Sequence, residues 1–459
     1  MQKQRKGFCI RIISLLSGLF LAFIQFAAPV SAESPYDLPP DTTISAGAAL
    51  LVSLGATPDE DTVLYELKAD SKRSPAALVR LMVGITAINI IREKGIDIEK
   101  VTGKYTPTAY KEIAGFGLGT VMSYDEEWTV KDLLSISSIQ TAADACVTLA
   151  ITLSGSHAGF VSEMNALTKE IGCENTSFIN VSGADSPSQY TTARDLYKII
   201  RYAMDYPEFE PLFSASQYTV KPVSGGKERS YANTNDMLRP TTPYYYSPMA
   251  FGKTGYTPSA GRCLASVAKD SGYDYLCIVM GVPNTDADGN TGVYFRDTRT
   301  LYKWAFNNFT YKTLLDKNWP ITQIPVRLSW DKDRVTLYPE KTCTAIVINA
   351  LDLKTIDRKI TTLADSVDAP IKKGQVLGKV ELYIKTDQKI GEVNLVAGES
   401  IEKSQLLAVW AQVQSFLKSP WFYAALGLIA VLLVGYIILN IVHNYKLRRN
   451  RMKRFNRFR

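Results

Sequence analysis

The sequence predicts an α+β domain, in which helices are grouped against one antiparallel sheet, followed by a small all-β domain and one C-terminal transmembrane helix. Strand-like segments flank several helical segments within the first 310 residues. Short strand-like runs separated by turn residues occupy positions 317–406, and positions 421–442 carry no charged residue. Strands, then helices, then strands within one domain are typical of a sheet covered by helices.

Residues 1–32 have the features of a secretory signal peptide. Basic residues lie between Lys3 and Arg11, an apolar stretch follows from Ile12 to Val30, and Ala32 ends a small-residue cleavage site. An uncleaved anchor is the alternative, but the polar and small residues within the stretch make it a poor permanent span. We therefore expect the mature protein to begin near Glu33.

The first domain is expected at residues 33–310. Near its start, Ala48–Leu54 and Thr62–Lys68 are predicted to be strands joined by a turn that contains glycine and proline. Ser74 followed by Pro75 predicts a helix start, because serine caps the first turn and proline fits the first helical position. Apolar residues at helical spacing then extend this helix to about Glu93.

Further segments complete the first domain. A second helical region is expected to open at Thr129, which forms a capping-box variant with Asp132. The remaining expected elements are two amphipathic helices, two strands around a turn, and a last helix: 159–171 and 192–202, 265–268 and 275–279, and 296–306.

A second, all-β domain is expected at residues 317–406, where strand-like runs such as Thr344–Ile348 and Lys379–Ile384 are separated by turn residues. Residues 407–420 are predicted to be a linker, and Trp421–Val442 gives 22 residues without a charge. A helix of that length covers about 33 Å, which is enough to cross a hydrocarbon core of about 30 Å.

The basic tail at 443–459 gives the expected orientation. Between Asn444 and Arg459 it carries eight Lys or Arg residues and no acidic residue. Positive charge beside a span stays on the cytoplasmic side, so we expect a single-pass protein of the cell membrane with its C-terminus in the cytoplasm and its domains outside. Without the four basic residues of the signal and the eight of the tail, 40 basic residues face 45 acidic ones, a net charge of −5. This balance gives no indication of a nucleic-acid-binding surface.

Five cysteines remain after removal of the signal: Cys146, Cys173, Cys263, Cys277 and Cys343. An odd number leaves at least one thiol unpaired within the monomer. We expect them to be small buried apolar residues, although a bridge between Cys263 and Cys277 across the predicted hairpin stays open. Their spacings do not resemble a metal site, and neither a metal nor a cofactor is expected.

One motif indicates a family. Lys253, Thr254 and Gly255 form a KTG run at the entrance to a predicted strand. This run resembles the KTG strand of D-alanyl-D-alanine carboxypeptidases, the low-molecular-weight penicillin-binding proteins related to β-lactamases. The runs 233–235 and 296–298 also match in order and spacing. The resemblance implies a serine peptidase with a β-lactamase/transpeptidase-like fold that acts on peptidoglycan.

The resemblance also shows two motifs that this sequence has lost. The family carries a serine and a lysine as S-x-x-K at a helix start, where residues three apart lie on one face. Ala77 stands at the serine position and Arg80 at the lysine position. In the family's S-x-N motif, Thr141 replaces the serine and Ala143 replaces the asparagine. A methyl group cannot form an acyl-enzyme, and arginine stays protonated at ordinary pH, so no intact catalytic residue is expected.

Other nucleophiles fit poorly. His157 is expected to be a surface residue at a helix start, which argues against a Ser-His-Asp triad. Thr141 acting with Lys253 is conceivable, but a turn threonine bonded to the backbone is the simpler interpretation.

The expected binding residues are Lys253, Thr254, Gly255 and Arg80, because their family equivalents share one cleft. Two cations there favour an anion such as a peptide C-terminal carboxylate, which Arg80 could bind through two hydrogen bonds. The other interpretation is that Arg80 pairs with a nearby acid and closes the site.

The sequence therefore predicts a membrane-anchored homologue of these carboxypeptidases that binds stem peptides ending in D-Ala-D-Ala without catalysis, or supports an envelope protein as a scaffold. An active carboxypeptidase with a rearranged site, which trims terminal D-Ala during cell-wall synthesis, is the alternative. A purely structural spacer is a third hypothesis.

Overall fold

The computed structural model describes residues 36–40, 42–384 and 388–455. The predicted signal peptide lies outside the described residues. The chain divides into two compact units. The first runs to Thr310 and includes Ile346–Ala350, and the second contains Tyr311–Ala345 and the chain from Leu351 onwards.

A five-stranded antiparallel sheet forms the centre of the first unit. The strands of this unit are β1 (Ala48–Ser53), β2 (Thr62–Leu67), β3 (Thr102–Lys104), β4 (Glu127–Thr129), β5 (Gln217–Val220), β6 (Arg229–Ala232), β7 (Met249–Thr257), β8 (Gly261–Asp270) and β9 (Tyr273–Val282). The central sheet has the order β2-β1-β9-β8-β7, while β3 pairs with β4 and β5 with β6. The predicted α+β class is confirmed.

Helices cover this sheet. They are α1 (Val79–Lys94), α2 (Pro107–Lys111), α3 (Val130–Ile139), α4 (Ala143–Ser154), α5 (His157–Ile171), α6 (Ala193–Ala203), α7 (Phe209–Ser214) and α8 (Val293–Asn308). Helix α1 is buried at 11 of its 16 positions and contacts α3, α4, α5, α6 and α7. A helix that is apolar on all sides belongs inside the core, and α1 is the helix around which this unit packs.

The start of α1 differs from the prediction. Ser74 does not cap the helix, because its hydroxyl donates to Asp185 Oδ1 at 2.7 Å. The α-helix begins only at Val79, after a 3-10 turn at Ala76–Leu78. Ala76 has a φ of +46°, a left-handed conformation that interrupts the helical path after Pro75. A long-range contact of Ser74 has thus replaced the local cap.

The second helical region begins as predicted and then breaks. Thr129 Oγ1 accepts a hydrogen bond from the Asp132 amide at 3.1 Å, which confirms the cap. Helix α3 nevertheless ends at Ile139, and α4 begins at Ala143. The Gln140 side chain donates to the Ala232 carbonyl oxygen at 3.0 Å, so a tertiary contact holds the break open.

The predicted hairpin is present, but its two cysteines are not joined. Cys277 on β9 faces Ser266 on β8, whereas Cys263 faces Gly255 on β7. The two thiols are therefore out of register, and both are free. Cys146, Cys173 and Cys343 are free as well.

The strands after α8 build the second, all-β part, as predicted. They are β10 (Phe309–Leu315), β11 (Thr322–Arg327), β12 (Arg334–Pro339), β13 (Cys343–Ile348), β14 (Asp357–Thr362), β15 (Val367–Asp368), β16 (Val376–Ile384) and β17 (Gln388–Ala397). Six of them form a sheet in the order β14-β16-β17-β12-β11-β15. Both runs that the sequence singled out lie within strands, β13 and β16.

Two helices end the described chain. The segment predicted to be a linker is largely helical: α9 spans Gln405–Leu417, and the Ser404 hydroxyl caps it by accepting from the Leu407 amide. Helix α10 then spans Pro420–Phe455. Its portion Pro420–Asn450 is long and apolar enough to cross a membrane, with a mean hydropathy of 2.6 in its most apolar window.

Candidate functional site

A cleft of about 330 Å³ lies beside the N-terminal end of α1. Its wall contains Ala77, Arg80 and Thr141, together with Thr254 and Gly255 of β7. The other lining residues come from separate segments of the first unit: Gly117, Leu118, Gly119, Ser182, Gly183, Thr234, Tyr256, Thr257, Arg262 and Tyr294. The fold thus brings most of the predicted site positions to one place.

Ala77 lies against β7 at the back of the cleft. A Cβ atom at Gly255 would be 3.0 Å from the Ala77 amide nitrogen, so only glycine allows this close approach without a shift. Ala77 is 7% exposed and presents a methyl group. A methyl group has no lone pair, so this position offers nothing that could attack a carbonyl carbon.

Arg80 is buried beneath the same wall, with 2% of its surface exposed. Its Nη1 donates to the Ala142 carbonyl oxygen at 3.0 Å, and its Nη2 donates to the Ser182 carbonyl oxygen at 2.8 Å. The guanidinium therefore joins the turn before α4 to the loop that contains Ser182. These partners are carbonyl groups, and not the acid that one of the two interpretations expected.

Lys253 is more deeply buried than the sequence predicted. It is 1% exposed and is not among the lining residues of the cleft. Its Nζ donates to Thr234 Oγ1 at 3.2 Å, and Thr234 does face the cleft. Burial, and then the charge of Arg80, lower the pKa of the Lys253 ammonium to about 7. Lys253 therefore influences the cleft in two ways, by its hydrogen bond to the Thr234 hydroxyl and by its positive charge.

Thr234 is the centre of a small hydroxyl cluster. Its Oγ1 accepts from Thr254 Oγ1 at 2.7 Å as well as from Lys253. The Thr234 hydroxyl itself donates to the Ile139 carbonyl oxygen at 3.3 Å. Thr234 Oγ1 is therefore in contact with two side chains and one backbone carbonyl group.

The positions of the lost S-x-N motif lie at the break between α3 and α4. Thr141 is exposed and lines the cleft, whereas Ala143 is fully buried and its amide donates to the Gly119 carbonyl oxygen at 2.9 Å. The nearby Ser137 and Ser138 are buried, and their hydroxyls donate to the Leu134 carbonyl oxygen. These serines are bonded within their own helix and leave the cleft without a serine from this segment.

A buried carboxylate positions one rim of the cleft. Asp144 Oδ2 accepts from the amides of Val121 and Met122, each at 2.6 Å. Burial raises the pKa of Asp144, and these backbone hydrogen bonds oppose that rise. The Asp144 carboxylate thereby ties the segment after Gly119 to the start of α4.

His157 is not the surface residue that the sequence predicted. Its side chain is 11% exposed, and its Nδ1 lies 2.8 Å from Glu112 Oε2. Its Nε2 accepts from the Val181 amide at 3.3 Å, and burial lowers the pKa of the ring. The imidazole thus supports the loop beside Ser182, and the tertiary contacts that bury it have no local sequence signal.

Cys146 lies behind Arg80 and is completely buried. Its Sγ is 3.2 Å from the Val181 carbonyl oxygen, and burial raises the pKa of the thiol. Such a thiol is a poor nucleophile, because the reactive form is the thiolate. Among the residues that the structure describes, no group of three His, Cys, Asp or Glu side chains is placed to hold a metal ion.

Arg262 is a cleft residue that sequence reasoning missed. It is the second residue of β8, its Nε donates to Asn284 Oδ1 at 2.8 Å, and its guanidinium carbon lies 4.2 Å from the centre of the Tyr256 ring. These contacts orient the guanidinium while leaving its side chain only partly buried. A cation seven residues after Gly255 was the available signal, but only the turn between β7 and β8 returns it to the cleft.

Two families of known proteins match two successive parts of the chain. A family model described as D-alanyl-D-alanine carboxypeptidase matches residues 32–284, and one described as penicillin-binding protein 5, C-terminal domain, matches residues 309–403. D-alanyl-D-alanine carboxypeptidase DacF of Bacillus subtilis is 26% identical over 395 residues, which cover 86% of this chain and 95% of the relative. DacC of Escherichia coli is 27% identical over 408 residues, with the same coverage of 86% and 95%.

Solved structures show the same fold. Penicillin-binding protein 5 of Haemophilus influenzae superposes with a TM-score of 0.60 at 23% identity, covering 80% of this chain and 100% of that one. The D-alanyl-D-alanine carboxypeptidase DacD of Francisella tularensis gives a TM-score of 0.64 at 19% identity, covering 83% of this chain and 100% of that one.

Proposed function

Because this chain belongs to the D-alanyl-D-alanine carboxypeptidase family, we propose that it is a membrane-anchored, non-catalytic member that binds stem peptides ending in D-Ala-D-Ala. The observation that carries the proposal is the methyl group of Ala77 in the cleft wall, at the position matching the nucleophile. Acyl transfer also needs a group that accepts the nucleophile's proton. Arg80 stays charged at ordinary pH and cannot accept it.

The same cleft keeps groups that suit a peptide C-terminus. Thr234 and Thr254 present hydroxyls, and Arg262 presents a planar guanidinium that Tyr256 and Asn284 orient. A guanidinium binds a carboxylate through two parallel hydrogen bonds. We assign the carboxylate contact to Arg262 and not to Arg80, since Arg80 is 2% exposed and directs both terminal nitrogens at carbonyl groups. Arg80 in the wall and Lys253 behind it contribute positive potential.

One observation favours the rival, an active carboxypeptidase. Lys253 has a pKa of about 7 and contacts a hydroxyl that faces the cleft, which is how a base and a nucleophile would be placed. The position of the hydroxyl argues against it. Thr234 is not the residue that matches the family's nucleophile; that residue is Ala77. The Thr234 hydroxyl is already engaged by Lys253, Thr254 and the Ile139 carbonyl oxygen.

The test is to incubate the full chain, in a zwitterionic detergent, with a stem pentapeptide ending in D-Ala-D-Ala. Calorimetry should show binding, and mass spectrometry should recover the peptide at its original length. Arg262→Ala should weaken binding about 10- to 100-fold, as expected for loss of a charge-assisted contact, whereas Arg327→Ala in the second unit should not.

Each other outcome has a definite meaning. A shortened peptide would establish the active enzyme, with Thr234→Val as the variant to examine next. Absence of binding would leave the scaffold or spacer hypothesis. A peptide with a C-terminal amide should bind as weakly to the wild type as the free acid binds to Arg262→Ala.

The proposed location is the outer face of the cell membrane. The apolar part of α10 supplies one span, and basic residues follow it directly in the sequence. This charge asymmetry beside a single span supports an orientation with the two units outside and the C-terminus in the cytoplasm. That is where peptidoglycan peptides are found.

A further inference from the structure

Three exposed aromatic side chains lie on the chain segment that forms one rim of the cleft. Tyr110 is 44% exposed, Phe116 is 54% exposed and Tyr124 is 55% exposed. We call these three residues the aromatic shelf. Exposed aromatic side chains that are close together in the sequence and near a cleft indicate a binding surface.

Tyr124 is the residue of the shelf that contacts two other rings, and these contacts hold it in place although it is exposed. Tyr124 stacks on the buried Tyr105 with the ring centres 5.4 Å apart and the planes at 15°. Tyr110 contacts the same ring edge-on at 5.5 Å. An exposed ring that its neighbours already hold loses little conformational entropy when a ligand covers it.

The backbone beneath Tyr124 supports the same conclusion. The Asp125 amide donates to the Tyr105 carbonyl oxygen and the Tyr105 amide donates to the Glu126 carbonyl oxygen, both at 2.9 Å. Asp125 has a φ of +63°, a left-handed turn conformation that aspartate adopts more readily than most residues.

The shelf is continuous with the cleft along the chain. Phe116 stands between Gly115 and Gly117, whose φ angles are +84° and +62°. Gly117, Leu118 and Gly119 line the cleft. An ion pair between Lys104 and Asp125, at 3.1 Å, adds exposed polar groups beside Tyr124.

We propose that the aromatic shelf binds amino-sugar rings of a glycan strand. The C–H bonds on one face of a pyranose pack against the electron-rich face of an aromatic ring, and polar groups at the edge bond the hydroxyl and acetamido groups. Three rings are too few for a stable protein interface, which needs about 20 residues a side. The choice of a glycan rests on the proposed function, because a peptidoglycan stem peptide is attached to such a sugar.

The probe is chitotetraose, an N-acetylglucosamine tetramer without any peptide, titrated against the full chain in a zwitterionic detergent. Wild type should show saturable binding. Tyr124→Ala should weaken it roughly tenfold, in line with the contribution of one aromatic contact. Tyr124→Trp should retain it because the ring is kept. Tyr245→Ala, which removes a tyrosine of 43% exposure outside the shelf, is the matched control and should bind as wild type does.

Two results would overturn the proposal: absence of saturable binding by wild type, or equal affinity in wild type and Tyr124→Ala. If Tyr124→Ala fails to fold, Phe116→Ala serves instead, since Phe116 lies between two glycines next to which there is open space. The stem peptide without sugar should bind Tyr124→Ala normally. If the wild type binds chitotetraose but not the stem peptide, the proposed function fails and the shelf proposal stands.

Discussion

Arginine at position 80 changes the cleft in two ways. It is a cation at every ordinary pH, and it is long enough to bond the carbonyl groups of Ala142 and Ser182 on two different segments. Burial is the largest cause of the lowered pKa of Lys253, and the charge of Arg80 is the second largest. One residue therefore puts a permanent cation in the cleft wall and lowers the pKa of its neighbour Lys253.

Replacement of Arg80 by methionine tests its structural role. The variant leaves two carbonyl oxygens without their donors, so we expect the free energy of unfolding to fall by about 2–4 kcal/mol. The measurement is guanidinium unfolding followed by the fluorescence of tryptophans such as the buried Trp128. Arg262→Met is the control. It should lower the free energy of unfolding by less than about 1 kcal/mol, because the guanidinium that it removes makes its hydrogen bond at the exposed rim of the cleft. Equal stability of Arg80→Met and wild type would contradict the assignment.

The depressed pKa of Lys253 predicts a pH dependence of stability. Its pKa is about 7 in the folded chain and 10.5 in an unperturbed lysine, so between these values the unfolded chain binds a proton that the folded chain does not. Stability therefore rises as the pH is raised from about 7 towards 10, by at most about 1.4 kcal/mol per pH unit. The quantity to measure is the free energy of unfolding of wild type minus that of Lys253→Met. A difference that stays constant or falls with pH would show that the amine is not buried as described.

At the scale of elements, the cleft depends on close approach between β7, the turn before α1, and the loop of Ser182 and Gly183. Gly255 and Gly183 both face the 3-10 turn at Ala76–Leu78. Gly183 also has a φ of +78°, a conformation that glycine adopts without a steric cost.

Gly183→Ala should therefore destabilise the protein by more than Gly95→Ala. Both glycines have a positive φ, of +78° and +61°, but a Cβ at Gly183 would collide with the Ala76 carbonyl group whereas one at Gly95 would meet open space. We expect about 1 kcal/mol for Gly95→Ala from the backbone alone and at least about 1 kcal/mol more for Gly183→Ala. Thermal unfolding of both variants decides this, and indistinguishable melting temperatures would refute the close contact.

The sequence predicted correctly those elements that depend on residues close together in the chain. It missed the features that depend on contacts between distant residues. The Thr129 cap and the hairpin of β8 and β9 depend on neighbours in sequence, and both are present. Ser74 bonds to Asp185, more than a hundred residues away, and so gives up the cap. Arg262 reaches the cleft only because β8 pairs with β7, and Lys253 is not a lining residue although Thr254 and Gly255 of the same strand are.

For the whole molecule, the charge distribution and the apolar helix α10 predict the topology. The C-terminal tail is basic, and the span before it has no charge between Trp421 and Val442. An epitope placed after Arg459 should resist protease added outside intact spheroplasts and be digested once the membrane is opened. Digestion without opening would place the tail outside. Replacing the tail's basic residues by glutamine should weaken this protection, because positive charge holds the orientation.

The family was recognisable from the KTG run and its spacing to other motifs, and the fold followed from that recognition. Two single positions, Ala77 and Arg80, led to the hypothesis of a non-catalytic cleft, because acyl transfer depends on particular atoms. What those positions do instead was not visible, since hydrogen bonding of a buried arginine to carbonyl groups leaves no pattern in the sequence.

The most direct test of a non-catalytic cleft is labelling of the full chain with a fluorescent penicillin, alongside an active carboxypeptidase of the family as the positive control. Without a nucleophile at position 77, the account predicts no fluorescent band after boiling in detergent. A band that survives boiling and is removed by competition with unlabelled penicillin would contradict it.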